Sequence, residues 1–131
     1  MKFIIDDANV EAIKNLYEYF PVEGVTTNPS ILAKSKRPPY EVLGEIREFI
    51  GKDADLHVQV VSKCAEDMVT EAEEMLKRLG ENTYIKVPTT REGLKAMKLL
   101  SSKGVKITAT AIYTPMQAFL AAQAGASYAA P

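Results

Sequence analysis

A lysine set among aliphatic residues is the feature of this sequence that most directly suggests chemistry. Lys86 stands between Ile85 and Val87, with Pro88 following. Buried in a strand, its ammonium form is disfavoured, so a neutral amine becomes available near pH 7. Such an amine attacks a ketone to give a carbinolamine and then a Schiff base. The protonated imine is an electron sink that allows the adjacent C–C bond to break or form. A proton shuttle is then needed, and Asp6, after Ile4 and Ile5, is the available carboxylate. The hydroxyls and amides of Thr26, Asn28, Gln59 and Thr110 suit a water molecule and the hydroxyls of a sugar.

These residues matter as a set because each sits near the C-terminal end of a predicted strand. The strands read as Phe3–Asp6, Gly24–Asn28, Leu56–Val61, Thr83–Val87 and Lys106–Thr110, with a sixth beginning at Ser127. Within each strand the polar position is opposite in phase to its aliphatic neighbours. In a barrel the aliphatic phase faces the helices, and the polar phase converges at the C-terminal mouth, where barrel active sites lie. Taken singly, each residue has a plainer reading. Asp6 could cap the first helix, together with Asp7 or Asn9. Asn28 before Pro29 could form a turn, Gln59 could be a satisfied core amide, and Lys86 could be exposed on an edge strand. Thr26 and Thr110 could be ordinary strand threonines. His57 and Cys64 fall outside the set, and Cys64 reads as a small buried hydrophobe.

Helical stretches must separate and position these strands. The first buries Val10, Ile13, Leu16 and Phe20 and ends at Pro21. The second follows Pro38–Pro39 and buries Val42, Leu43, Ile46 and Ile50. The third carries Met68, Ala72, Met75 and Leu79, with Glu73/Lys77 and Glu74/Arg78 spaced i,i+4 on its wet side. Thr89 and Glu92 predict a capping box before Leu94, Met97 and Leu100, with Gly104 as the stop. Thr114, Pro115 and Gln117 repeat the start signal. Strand and helix alternating this regularly imply parallel strands with right-handed crossovers.

Composition excludes several classes. Sixteen Lys and Arg against seventeen Asp and Glu give a net charge of −1, which lacks the electrostatic footprint of a nucleic-acid or polybasic membrane surface. One histidine and one cysteine leave almost nothing for a zinc site or a disulfide framework. No apolar run approaches the ~18–20 residues of a bilayer span. A soluble, cytoplasmic protein is expected. No GxGxxG or GxxxxGK[ST] string occurs, which tilts the expectation from an open nucleotide-binding sheet toward a barrel.

The string Gly24-Val25-Thr26-Thr27-Asn28-Pro29-Ser30 and the string Tyr84-Ile85-Lys86-Val87-Pro88 together resemble the small transaldolase / fructose-6-phosphate aldolase family. Asp6, Gln59, Ala109-Thr110-Ala111-Ile112-Tyr113 and the Gly125-Ala126…Ala130-Pro131 ending fit in register. The resemblance implies a class I aldolase-type enzyme on a (β/α)₈ TIM barrel, without metal or cofactor. Lys86 would be the Schiff-base lysine, and Asp6 would manage the substrate hydroxyl proton. Gln59 and Thr110 would hold the catalytic water, while Thr26, Asn28 and Ser30 would contact the substrate. Glutamine at position 59 goes with the aldolases of the family and glutamate with the transaldolases. Implied partners are phosphorylated sugars and further copies of the chain, with no nucleic acid and no membrane.

At 131 residues the chain reads as a single domain, but a closed barrel takes ~250. The expectation is therefore a barrel truncated to five βα units plus the start of a sixth strand. It would lack the family's later aromatic residue, arginine and phosphate-binding groups. A non-catalytic half-barrel that folds by self-pairing is the alternative from another class, and an open α/β binding domain is a third.

Overall fold

The computed structural model describes residues 1–131. Six strands run in parallel and in sequence order across one sheet: β1 (Ile4–Asp6), β2 (Gly24–Thr26), β3 (Asp55–Gln59), β4 (Thr83–Pro88), β5 (Ile107–Thr110) and β6 (Tyr128–Ala130). Sequential parallel order with a helix in every crossover is the signature of a (β/α)₈ barrel wall, here an open arc of six strands with β1 and β6 at its edges.

The helices are α1 (Val10–Tyr19), α2 (Pro29–Lys34), α3 (Pro39–Ile50), α4 (Ala65–Leu79), α5 (Arg91–Ser102) and α6 (Pro115–Gln123). In α4 the buried positions are Ala65, Met68, Ala72, Met75 and Leu79, a three-to-four spacing that lays one stripe on the sheet. Ile5, Val25, Leu56, Val58, Ile85, Val87, Ile107 and Ala109 meet such stripes from the strands to form the core. Gly93 lets α5 start close to the wall: a Cβ there would fall 1.8 Å from the Pro88 carbonyl oxygen.

Several local expectations are corrected. Asn28 does more than turn the chain. Its Oδ1 accepts from the Ile31 N–H at 2.9 Å and caps α2, a short helix absent from the sequence reading. The cap of α1 is Asn9, which relieves Asp6 of that role. Thr90, not Thr89, caps α5, and Glu92 accepts instead from the Ala65 N–H. Phe20 is exposed rather than inward, because α1 has already ended at Tyr19. Ile50 is only half-buried at the end of α3. Glu74 pairs with Arg78 as expected, whereas Glu73 reaches Lys103, just after α5, instead of Lys77. The Thr114/Gln117 capping box forms as the sequence indicates.

Candidate active site

Strand register decides which side chains share a face. Asp6 pairs with Thr26, Thr26 with His57 and His57 with Tyr84. Gln59 pairs with Lys86, Lys86 with Thr108 and Thr108 with Tyr128. Side chains alternate along a strand, so all of these, with Asp55 and Thr110, lie on one face. The aliphatic core lies on the other, so this face is the barrel interior. Asp6, Thr26, Gln59, Lys86 and Thr110 occupy its C-terminal half.

Lys86 is 5% exposed on a strand with neighbours on both sides, which excludes an exposed edge position. Its Nζ donates to Thr26 Oγ1 at 3.2 Å and to the Thr27 carbonyl at 2.9 Å. Burial pushes the amine below the usual lysine range, and the Asp6 carboxylate on β1 acts in the opposite direction. Asp6 is exposed, while Gln59 and Thr110 are half-buried, and none of the three side chains makes a hydrogen bond within the protein. Thr26 sits beside Asp6 in register and accepts from Lys86. Asn28 spends its Oδ1 on the α2 cap and keeps its Nδ2 hydrogens free. Ser30 is exposed on the first turn of α2, outside the sheet face that holds the others.

The loops at this end are held by side chains from the helices that follow them. The Glu71 carboxylate on α4 accepts from Val61 N–H, Ser62 N–H and Ser62 Oγ. The Gln117 amide on α6 accepts from Tyr113 and Thr114 N–H and donates to the Thr89 carbonyl at 3.1 Å. Between them, Ala111 directly after Thr110 has φ +55°, a left-handed conformation that is unfavourable for a residue with a Cβ. Strain of this kind persists where surrounding bonds hold the backbone, and here Thr89 holds the Thr110 carbonyl before Ala111 while Gln117 holds the Tyr113 and Thr114 N–H groups after it.

Deeper on the same face lies a layer that sequence reasoning missed. His57 falls outside the set defined by strand ends, yet it faces the interior and is 3% exposed. Its Nδ1 is 2.8 Å from Thr108 Oγ1, and its ring stacks on Tyr84 with centroids 4.7 Å apart. Burial pushes its pKa down to about 4, so the imidazole is neutral at neutral pH. Lys2 pairs with Asp55 at 2.5 Å beneath it. The signal was available, because His57 is two residues before Gln59 and therefore in phase with it. Cys64 is half-buried at the cap position before α4 rather than fully buried in the core.

A cleft of about 640 Å³ opens instead between the start of α1, the end of α2 and the face of α3. Of the candidate residues only Asp6 lines it. Of its two cations, Lys34 and Arg37, the latter is held by Glu41 and Glu45, and Lys86 does not line the cleft. No group of three His, Cys, Asp or Glu side chains converges to hold a metal ion, and no helix is long and apolar enough to cross a membrane.

The transaldolase/fructose-6-phosphate aldolase family profile matches residues 3–131. A protein named probable transaldolase from Geotalea daltonii is 50% identical over 131 residues, covering all of this chain and 60% of that protein. Probable transaldolases from Aquifex aeolicus and Methanococcus maripaludis are each 47% identical over the same span, which covers 59% and 60% of their lengths. The chain thus spans about three-fifths of the length of these curated relatives. With that profile spanning nearly the whole chain and a parallel wall of alternating strands and helices to match, the chain belongs to the transaldolase/fructose-6-phosphate aldolase family.

Proposed function

We propose that Lys86 is the Schiff-base nucleophile of a reversible aldol reaction on sugar phosphates. The observation that carries this reading is the burial of Lys86 on the inner face, with two N–H bonds already directed at Thr26 and Thr27. A desolvated amine keeps more of its neutral form near pH 7, and the two bonds leave its remaining valence free for a ketone carbon. Attack gives a carbinolamine, and loss of water gives the iminium. Asp6 then takes the proton from the substrate hydroxyl beyond the scissile bond. The C–C electron pair moves into the iminium, releasing an aldehyde and leaving an enamine on Lys86.

Two outcomes are open to the enamine. Addition to another aldehyde is dihydroxyacetone transfer, whereas protonation and hydrolysis release dihydroxyacetone. Gln59, beside Lys86 in register, and Thr110 have uncommitted polar side chains that suit the water of the second route. A neutral amide at position 59 favours aldol cleavage or formation over transfer, since it is a poorer proton acceptor than glutamate. Thr26 and Asn28 suit the hydroxyls of the dihydroxyacetone part, with Ser30 at their margin.

The test is borohydride reduction in the presence of dihydroxyacetone, followed by peptide mass spectrometry. One covalent adduct on Lys86 is expected. An adduct undiminished in Lys86→Ala would overturn the assignment.

A further inference from the structure

Two threonines make the same pair of hydrogen bonds to a neighbouring strand. Thr27, just after β2, donates both its N–H and its Oγ1 to the His57 carbonyl, at 3.0 and 2.9 Å. Thr89, just after β4, donates both its N–H and its Oγ1 to the Thr110 carbonyl, at 2.8 and 2.9 Å. A backbone N–H alone continues a parallel ladder; the hydroxyl is an additional bond that stops the residue from swivelling. Their own carbonyls then diverge. Thr89 receives Gln117 Nε2, whereas Thr27 receives Lys86 Nζ at 2.9 Å.

We propose that Thr27 is a positioning residue for Lys86: its clamp on the His57 carbonyl fixes the acceptor that aims the lysine amine. Thr27 is fully buried, and its side chain lies on the helix side of the wall, so it acts through its backbone and not by touching substrate. A tetrahedral nitrogen with one N–H held by Thr26 Oγ1 and another by the Thr27 carbonyl presents its remaining position away from β2. The consequence for catalysis rests on the reading of Lys86 as nucleophile, but the clamp can be measured without it.

A hydrogen-bond acceptor favours the charged amine, so a loosened carbonyl lowers the protonation midpoint of Lys86 further. Ionisable groups facing Lys86 are Asp6 from β1, which supports the ammonium form, and His57 from β3, neutral above about pH 4. The β2 and β5 neighbours Thr26, Thr27 and Thr108 do not ionise.

The experiment is competitive acetylation of the full chain with acetic anhydride across pH, reading Lys86 against exposed Lys34 by peptide mass spectrometry. Thr27→Val, which keeps the shape and removes the hydroxyl, should lower the Lys86 midpoint by roughly half a pH unit or more, a fraction of one charged hydrogen bond. Thr27→Ser should restore it. Thr89→Val removes the identical bond from the other clamp and should leave the Lys86 profile in place. A midpoint that stays put in Thr27→Val, or rises toward that of an exposed lysine, would overturn the proposal, as would an equal shift in Thr89→Val. Should Thr27→Val not fold, Thr27→Cys, a much weaker donor, is read by the same criteria. A shifted midpoint without a dihydroxyacetone adduct would count against the Schiff-base reading alone; an adduct without the shift would count against the clamp alone.

Discussion

The two halves of the inner face come from the same strands and are organised in opposite ways. In the deeper half the polar groups are largely used up on one another, His57 Nε2 being the buried atom left without a partner. Lys2 and Tyr128 both donate to Asp55, His57 pairs with Thr108, and the rings of His57, Tyr84 and Tyr128 pack at 4.7–5.1 Å. At the C-terminal end Asp6, Gln59 and the Thr110 hydroxyl have no protein partner, and Lys86 is the one fixed point among them. Polar groups satisfied by one another hold a wall together, whereas polar groups left open are available to water or substrate. The difference separates residues that maintain the arc from residues free to do chemistry.

The sharpest way to break this comparison is Lys86→Met. It should abolish the dihydroxyacetone adduct completely, while stability to urea stays within about 1 kcal/mol of the parent, because the desolvation removed offsets the two bonds lost. A collapse in stability would make Lys86 part of the wall.

Next in size is the acid response of His57. Its folded-state pKa of about 4 lies below the unfolded value of 6.5. The unfolded chain therefore binds the proton first, and stability is lost as pH falls from about 6.5 to 4, by up to about 3 kcal/mol. His57→Phe should be flatter than the parent across that window in urea titrations, and equal slopes would show that the imidazole is not held neutral.

The smallest expected effect belongs to Asp55→Asn. Lys2 is 43% exposed, so screening limits the pair, and the loss should be about 1–2 kcal/mol. Adduct formation on Lys86 should be unchanged; a loss of adduct with the fold intact would show that the two halves are not separable.

Much of this arrangement was legible in the strand phase. Ile85-Lys86-Val87 and Val58-Gln59-Val60 alternate so cleanly that opposite faces follow from geometry alone. The same rule applied to His57 would have placed it inside, but a lone histidine carries no pattern of its own. Capping was less legible. Thr89 and Glu92 have the spacing of a capping box, yet the chain uses Thr90. Thr89 is instead drawn to the Thr110 carbonyl, and Glu92 to α4. Those partners are distant in sequence, and no local window contains them.

By itself the sequence determined the order of strands and helices, the split between aliphatic and polar faces, and the placing of a lysine, a carboxylate and an amide at strand ends. These follow from side-chain periodicity and local end signals, which act over a few residues. Only the tertiary structure decided that the Thr27 carbonyl receives Lys86, that Gln117 and Glu71 hold the loops around the site, and that Asp55, His57, Thr108 and Tyr128 form one layer. Each of these depends on register between strands far apart in the chain, set when the aliphatic face is buried as a whole.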